Sequence, residues 1–269
     1  MSNSLSQTTS DFLSGIKSNL YEPTEGEKKR IYNEYSYGYL KKSSDGYDIE
    51  NDKNPAVESL ADFPIPDGAE LSLDSDGKGP YIGTVKGQYF ALTDCSGYVI
   101  YLIAQSSQAA YDEIFQNAPD GNSHSQPWPS AGQYANYAGG NTWTQVLGED
   151  KKTDLSLIED GDIIAWDAAA GADDTGHVMV AIGNAEASET EGDDKVYTVK
   201  ISDSTQFNHK DPECNGINGT GVGTGFIGLK VDSDGKLYSK FNPDKGDWKQ
   251  HDHINILRLK SSHHTTKNK

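Results

Sequence analysis

The sequence predicts an α+β fold in which a helix packs on a central antiparallel β-sheet, and two observations support this class. In the middle of the chain, residues 93–104 begin with polar Thr93 and Asp94. They continue as a run that is apolar on nearly every side, which is typical of a helix buried in a core. From residue 160 onward, short apolar or alternating segments are separated by Gly- and Asp-rich turns, which is typical of successive antiparallel strands.

The N-terminal part of the chain carries weaker signals. Residues 1–23, which are rich in Ser, Asn and Thr, are predicted to be mobile. Residues 24–42 are predicted to form an amphipathic helix, because Thr24 and Glu27 fit a capping box and the apolar side chains fall on one side. Residues 43–79 are rich in Asp, Gly, Pro and Ser and are interpreted as an irregular insertion.

Two Asp-Ser-Asp-Gly turns resemble the start of a calcium-binding loop. They begin at Asp74 and Asp232. A complete EF-hand loop needs a bidentate acid at its twelfth position, where this chain has Val85 and Pro243. Both turns are therefore predicted to be hairpin turns.

The helix that starts near Cys95 is predicted to extend to about Gln116, and a long loop follows over residues 117–143. Long ordered loops in compact domains are often functional. This one is interpreted either as a wall of a substrate cleft or as an ordinary surface excursion. It carries four aromatic side chains: Trp128, Tyr134, Tyr137 and Trp143.

The second half of the chain is predicted to supply the sheet. Its strands are expected over residues 161–166, 176–183, 195–204, 225–231 and 253–259. A single domain is therefore expected over residues 24–260, with insertions at 43–79 and 117–143. A polar, basic tail at 261–269 is predicted to be disordered.

Net charge restricts the kinds of partner. The 269 residues include 41 acids and 23 bases, for a formal net charge of −18. This charge argues against a nucleic-acid partner, which a basic face would attract, and against electrostatic docking on anionic membranes. No apolar run approaches the roughly 20 residues that a membrane-spanning helix needs, so no membrane span is expected.

The N-terminus and the cysteines leave the compartment open. The first 20 residues lack the basic and apolar regions of an ordinary signal peptide. The protein is therefore expected to be cytoplasmic, to leave by a signal-independent route, or to have lost an upstream segment. The two cysteines, Cys95 and Cys214, are too few for a disulfide framework and leave a single bridge as the alternative.

Three residues in the predicted elements have the types that a cysteine hydrolase needs. Cys95 lies in the first turn of the buried helix, where free backbone N–H groups and the helix dipole favour a thiolate and can donate to an oxyanion. His177 opens an apolar strand and Asp203 closes the next, so both can meet the helix start at one edge of the sheet. In the alternative interpretation, Cys95 is a small buried hydrophobe, His177 is structural and Asp203 closes a turn.

The other histidines give weaker patterns. His124 and His209 lie in predicted loops. His251 and His253 flank Asp252 in a way that suits a metal ion, yet no cysteine or carboxylate pattern completes such a site. Neither a metal nor another cofactor is therefore expected.

Taken in order, these motifs resemble the NlpC/P60 superfamily of papain-like cysteine peptidases and amidases. The resemblance covers roughly residues 80–205 and implies a papain-like fold, with the nucleophile-bearing helix packed on a central antiparallel sheet. It rests on Pro80-Tyr81-Ile82-Gly83, on Asp94-Cys95-Ser96-Gly97-Tyr98-Val99, on Gly161-Asp162-Ile163-Ile164-Ala165-Trp166, and on Gly176-His177-Val178-Met179-Val180-Ala181-Ile182-Gly183.

The resemblance also implies roles for individual residues. Cys95 would be the nucleophile, His177 the general base and later acid, and Asp203 the polar residue that orients the ring. Asp94 can equally serve as a helix cap. Three positions match those that hold the free amine of the substrate in members that cut peptidoglycan stem peptides: Tyr81, Asp94 and Ser96.

The chain departs from the family pattern at three points. Ile82-Gly83-Thr84 stands where the family has Trp-Gly-Gly. The separation between Cys95 and His177 is long for a minimal domain, which the loop at 117–143 would explain. The third catalytic residue is more commonly His in the family, whereas Asp203 stands here.

The sequence therefore predicts a cysteine hydrolase that cleaves an amide bond in a peptide. A bacterial cell-wall (peptidoglycan) peptide is the expected substrate, and no cofactor is needed. One alternative is a catalytically silent papain-like binding module that uses the aromatic loop as its contact surface. Another is an acyltransferase that uses the same three residues. The sequence does not identify an inhibitor protein as a partner.

Overall fold

The protein contains both helices and an antiparallel β-sheet, which confirms the α+β class. Some predicted features lie outside the described residues: positions 24–38 of the expected helix, the turn at Asp74, the segment around Cys214 and the tail at 261–269. The computed structural model describes residues 4–18, 39–43, 46–50, 69–71, 81–85, 88–117, 128–147, 154–167, 176–188, 194–205, 221–241, 243 and 247–260.

The described helices lie before the main run of strands. A single 3₁₀ turn, Leu155–Leu157, leads into the sheet. The α-helices are α1 (Leu5–Ser18), α2 (Cys95–Ser106), α3 (Gln108–Asn117) and α4 (Ala131–Ala135).

The five strands predicted in the second half of the chain are confirmed. The described strands are β1 (Tyr39–Ser43), β2 (Gly46–Glu50), β3 (Ala69–Leu71), β4 (Tyr81–Val85), β5 (Gln88–Leu92), β6 (Trp143–Gln145), β7 (Ile163–Trp166), β8 (His177–Ala181), β9 (Glu186–Ala187), β10 (Lys195–Thr205), β11 (Gly221–Val231), β12 (Leu237–Lys240), β13 (Lys249–His251) and β14 (Ile254–Leu259).

The main sheet is an antiparallel meander with one returning strand. Within the described residues its order is β13-β12-β11-β10-β8-β7-β14-β6, and β9 pairs with β10. Strand β14 returns across the sheet to pair with β7, with Ile254 opposite Trp166. Strands β8 and β10 run in opposite directions, with Ser202 opposite Val180. The start of β8 and the end of β10 therefore lie at the same edge, which brings His177 and Asp203 together.

Helix α2 packs on β8 and β10 and is buried along most of its length, as its apolar run predicts. Strand β8 is covered on both faces. Val178 and Val180 face the core that contains α2, while Met179 and Ala181 belong to the core on the other face. Burial of both faces explains why this strand reads as a continuous apolar run instead of alternating.

Helix α1 corrects the prediction of a mobile segment at 1–23 for residues 5–18, whereas residues 1–3 and 19–23 lie outside the described part of the chain. Residues 5–18 are helical, and Leu5, Phe12 and Leu13 are buried. The ring of Phe12 lies 5.1 Å from that of Tyr101 on α2, and the Ser106 hydroxyl donates to Thr8 Oγ1. Spacings of seven and eight residues place the three apolar side chains on one helix face, a signal that the Ser/Thr-rich composition obscured.

The single helix expected from Cys95 to Gln116 is interrupted at Ser107. This residue is extended, with φ −159° and ψ 109°, and its hydroxyl accepts from the backbone N–H of Ala110. It thus acts as the N-cap of α3. Serine favours caps over helix interiors, which accounts for two helices where one was predicted.

Two predictions for the flanking segments have different outcomes. Residues 39–42, expected to end an amphipathic helix, instead belong to β1 and pair with β2.

The turn at Asp232 is the predicted hairpin turn between β11 and β12. Its Oδ1 accepts from the backbone N–H groups of Asp234 and Lys236, and its Oδ2 accepts from the Tyr238 hydroxyl. The carboxylate therefore stabilises the turn through the chain's own donors.

A buried ion pair holds the Gly161-Asp162 step that precedes β7. Asp162 is 1% exposed, and both of its carboxylate oxygens accept from the Arg258 guanidinium at 2.8 Å. Arg258 also donates to the carbonyl of Leu157. Removing one partner of such a pair leaves an uncompensated buried charge, which is strongly destabilising.

Arg258→Ala is therefore expected to lower the free energy of unfolding by about 3 kcal/mol, the low end for a broken buried pair because the guanidinium is partly exposed. Denaturant unfolding measures this change. Glu159→Gln is the matched control, since Glu159 is 60% exposed and binds the same guanidinium from the surface. Its loss should cost about 1 kcal/mol or less. Equal losses in the two variants would contradict a dominant role for the buried pair.

Candidate active site

Cys95 is the first residue of α2, and Asp94 is the N-cap, as the sequence indicated. Asp94 has an extended backbone, and its Oδ1 accepts from the Gly97 backbone N–H at 2.7 Å. The thiol is partly exposed. It therefore lies beside the free N–H groups and the positive end of a 12-residue helix, an environment that stabilises negative charge on sulfur.

Ser96 is almost fully buried and forms hydrogen bonds within the protein. Its hydroxyl donates to Asp94 Oδ1 at 3.0 Å and accepts from Trp128 Nε1 at 3.0 Å. These contacts tie the segment before α4 to the first turn of α2. Binding of a substrate amine by Ser96 would require this network to open, whereas Asp94 is partly exposed.

Tyr81 lies close to the nucleophile in the strand register. It begins β4 and pairs with Leu92, the last residue of β5, which precedes the cap of α2 by two positions. The side chain of Tyr81 lies outside what the structure describes. Its proposed contact with substrate stays a prediction.

His177 is the first residue of β8 and is held in place from three directions. Gly176 before it has φ +89°, a left-handed conformation that glycine adopts without strain. The imidazole packs against the ring of Trp166 at 5.6 Å and, nearly edge-on, against Phe241 at 5.1 Å. The side chain is 12% exposed, so one margin of the ring remains open to solvent.

Asp203 is fully buried near the end of β10, and its Oδ2 lies 2.5 Å from His177 Nε2. Because Nε2 contacts the carboxylate, Nδ1 is the ring nitrogen left for Cys95, with which His177 also shares a side-chain hydrogen bond. The fold therefore brings together the three residues that the sequence selected, in the order thiol, imidazole, carboxylate.

Two hydrogen bonds fix β10 to α2 on either side of Asp203. The Ser204 hydroxyl donates to the carbonyl of Thr93 at 3.1 Å. Ser202 donates its proton to the Gly223 carbonyl, so the Tyr98 hydroxyl, 2.9 Å away, is the donor to Ser202 Oγ. These contacts set the distance between the carboxylate and the helix start.

Charges around the ring hold His177 in its protonated form. Burial alone would lower the pKa of His177, but the negative charge of the Cys95 sulfur, the hydrogen bonds to Asp203 and Cys95 and the charge of Asp203 together raise it to about 10. At neutral pH the ring is therefore an imidazolium. An imidazolium beside a thiol favours the thiolate, which is the nucleophilic form.

Asp203→Asn is expected to lower the pKa of His177 by about one unit or more, because it removes a negative charge and a charge-assisted hydrogen bond. An NMR titration of the labelled imidazole carbon measures this pKa directly. Asp232→Asn is the matched control, since Asp232 lies in the β11–β12 turn and is not among the groups that act on His177. An unchanged His177 pKa in Asp203→Asn would show that the carboxylate does not stabilise the imidazolium.

The four aromatic side chains of the loop at 117–143 are buried. They pack into the core that contains α2, and the indole of Trp143 donates to the carbonyl of Ala110. This corrects the interpretation of these side chains as a cleft wall or contact surface. The exposed fractions are 7% for Trp128, 0% for Tyr134, 5% for Tyr137 and 1% for Trp143.

The aromatic residues that surround the imidazole were not predicted as part of the site. Trp166 was recognised only as the end of a strand, and Phe241, which follows β12, carried no signal because its contact with His177 joins residues far apart in the chain. His251, considered there as half of a metal pair, instead packs on the Trp166 ring at 4.8 Å and lies 2.7 Å from Ser239 Oγ. Burial lowers the pKa of His251 to about 4.

Metal clusters and membrane-spanning helices are absent from the described parts of the chain. Within them, no group of three or more His, Cys, Asp or Glu side chains is placed to hold a metal ion. None of the helices described there is both long and apolar enough to cross a membrane.

The site is thus a partly exposed thiol at a helix N-terminus, followed by a protonated imidazole and a buried carboxylate. Comparison of the chain with models of protein families, with curated proteins and with solved structures found no match.

Proposed function

We propose that the protein is a cysteine hydrolase that cleaves an amide bond in a peptide. The alignment of Cys95, His177 and the buried Asp203 carries this proposal. Each residue suits its role. The thiol lies at the start of a helix, the imidazole is partly exposed to solvent, and the carboxylate is fully buried. A structural histidine needs a partner for its ring, but it does not need a thiol on the other nitrogen.

The proposed reaction begins with attack of the Cys95 thiolate on the carbonyl carbon. The carbonyl oxygen becomes an oxyanion, which the backbone N–H groups of the first turn of α2 stabilise. His177 then gives its proton to the departing amine, and the C–N bond breaks to leave a thioester on Cys95. Water, deprotonated by His177, hydrolyses the thioester and restores the thiolate and the imidazolium.

Asp203 acts through His177 in this scheme. Its contact at Nε2 orients the ring so that Nδ1 faces the sulfur, and its charge stabilises the imidazolium that must persist until the amine leaves. The chemistry needs no metal or other cofactor, because the acid, the base and the nucleophile are all side chains.

The substrate class is proposed from the resemblance to NlpC/P60 enzymes. The ordered motifs, together with a buried helix that presents the thiol over an antiparallel sheet, support a papain-like fold of that type. Asp94, which is partly exposed beside the thiol, supports recognition of a positively charged amine. We therefore propose a peptidoglycan stem peptide with a free amino group as the substrate.

The test is to incubate the purified protein with defined stem peptides and to follow cleavage by mass spectrometry. Rapid acid quenching should trap an acyl group on the tryptic peptide that contains Cys95. The same peptides with an acetylated amino terminus are the matched substrates, and their cleavage should be slower if Asp94 binds the amine. Absence of cleavage and of an acyl adduct across peptide and amide substrates would contradict a hydrolase.

Acyl transfer would proceed through the same thioester as hydrolysis. The two reactions differ in the acceptor of the acyl group, which is water in hydrolysis and another molecule, such as an amine, in transfer. A small primary amine at high concentration can attack any accessible thioester, so diversion of the acyl group from water identifies an amine-binding site only when it occurs at low amine concentration. A product that forms at low amine concentration and saturates with amine would identify a transferase. A binding module could not use the loop aromatics as its contact surface, because these four side chains are buried.

A further inference from the structure

Two aromatic rings flank the imidazole of His177, and both lie close enough to act on a cation. The centroid of the imidazole is 5.6 Å from that of Trp166 and 5.1 Å from that of Phe241. An aromatic face attracts a positive charge within about 6 Å of its centroid, and the attraction grows when water is excluded. Trp166 is buried and Phe241 is partly buried, so water is largely excluded from these contacts.

The sheet places Trp166 beside the imidazole. In the antiparallel pairing of β7 with β8, Trp166 is directly opposite His177, so their side chains leave the same face of the sheet. Phe241 follows β12 and also packs on the Trp166 ring, with centroids 5.9 Å apart and planes at 68°. The three rings therefore contact one another in pairs, and neither aromatic ring can leave the imidazole without losing a second contact.

The second histidine on the Trp166 ring does not compete as a cation. His251 lies 4.8 Å from Trp166, and its Nε2 lies 2.7 Å from Ser239 Oγ. Burial lowers the pKa of His251 to about 4, so this ring is neutral at physiological pH. The positive charge beside Trp166 therefore belongs to His177.

The charged groups that act on His177 come from two elements, with Cys95 on α2 and Asp203 on β10. Strand β7 and the segment after β12 each contribute an aromatic ring instead. In the proposed reaction the sulfur loses its negative charge when it bonds to the carbonyl carbon, while the imidazole must keep its proton until the amine leaves. The two rings are unchanged by this step, as is the carboxylate of Asp203.

We propose that Trp166 and Phe241 are positioning residues that stabilise the imidazolium of His177 through cation–π contacts and keep it stabilised after the charge on sulfur is lost. This role rests on the proposed hydrolase mechanism, in which His177 is the acid. The face of a phenyl ring is negative, and the N–H and C–H edge of an imidazolium is positive. Their attraction favours the near-perpendicular arrangement of the two rings, whose planes meet at 74°.

Packing alone would have the opposite effect on the imidazole. Burial disfavours the charged form, so a ring that only excluded water would lower the pKa of His177, and a smaller side chain in its place would let that pKa rise. A cation–π contact favours the charged form, so its loss lowers the pKa. The direction of the change therefore distinguishes the two roles.

The test measures the pKa of His177 by NMR in a Cys95→Ala background, in which no thiol titrates beside the imidazole and no sulfur charge acts on it. Phe241→Leu keeps an apolar side chain but removes the aromatic face. We expect this change to lower the pKa of His177 by about half a unit to one unit. Phe241→Tyr keeps the aromatic face and should leave the pKa nearly unchanged.

Phe226→Leu is the matched control, because Phe226 is a partly buried phenylalanine of β11 whose ring contacts Lys200 and is not among those that pack on His177. It should leave the pKa of His177 unchanged. An equal fall in this control would overturn the inference.

Ring fluorination tests the contacts even if Phe241→Leu unfolds. A fluorinated phenylalanine at position 241, or a fluorinated tryptophan at position 166, keeps the shape of the native ring and weakens its negative face. Each should lower the pKa of His177. An unchanged or raised pKa with the fluorinated rings would overturn the inference, whatever the result for Phe241→Leu.

Failure of the inference and failure of the proposed function have different signatures. The function is tested in protein that retains Cys95, by peptide cleavage and by labelling of the thiol. If wild type cleaves peptides while the fluorinated rings leave the pKa of His177 unchanged, only the role of Trp166 and Phe241 is lost. If wild type forms no acyl adduct and labels as an ordinary thiol, with a pKa near about 8.5, the hydrolase proposal falls whatever the rings do to His177.

Discussion

Cys95→Ala is expected to abolish amide hydrolysis while leaving the fold intact. In the proposed mechanism the sulfur forms the covalent intermediate, and removal of the nucleophile from a comparable catalytic set lowers turnover by about 10⁴-fold or more. The hydrogen bonds of the helix start involve the Asp94 carboxylate, the Ser96 hydroxyl and the Gly97 backbone, so alanine disturbs none of them. Peptide cleavage followed by mass spectrometry and unfolding followed by circular dichroism measure the two effects.

Cys214→Ala is the matched control for this variant, because it removes the other thiol of the chain. It should cleave substrate at the wild-type rate. Retained hydrolysis in Cys95→Ala would refute the mechanism whatever the behaviour of Cys214→Ala. Loss of activity accompanied by unfolding would instead point to a packing role for Cys95, and a Cys95→Ser variant, which keeps the size of the side chain, would then distinguish packing from chemistry.

His177→Ala is expected to slow the alkylation of Cys95 in mildly acidic buffer by about 100-fold or more. The raised pKa of His177 means that the imidazolium is present below about pH 10 and is lost as the pH rises through that value. Wild type should therefore label fast from mildly acidic pH upward. Without the imidazolium, an ordinary thiol with a pKa near about 8.5 is almost wholly protonated at pH 6. The two labelling profiles should converge above about pH 9, where an ordinary thiol is ionised as well.

His251→Ala tests whether the effect belongs to the Cys–His contact or to the aromatic packing around it. His251 packs on the Trp166 ring, as His177 does, but its Nε2 lies beside Ser239. Its replacement should leave the labelling profile within about twofold of wild type. A profile in His177→Ala that matches wild type at every pH would leave Cys95 as an unactivated core thiol.

Much of the site could be predicted because its signals are local. Asp94 followed by an apolar run indicated the capped, buried helix, and the alternation of apolar segments with Gly and Asp turns indicated the strands that hold His177 and Asp203. Caps and periodicities depend on neighbours within a few residues, so a single sequence shows them. The prediction failed for α1. The Ser/Thr-rich composition of this segment indicated a mobile chain, whereas the segment forms a helix with a buried apolar face.

The sequence by itself determined the α+β class, the capped helix that bears Cys95, the five strands of the second half and the residue types of the site. Only the tertiary structure decided that the loop aromatics are buried, that Ser96 is bound by Trp128, and that Asp203 meets Nε2 of His177. These contacts join residues that are far apart in the chain. They depend on how helices and sheet pack together, and packing is set by the simultaneous fit of many side chains that no local pattern records.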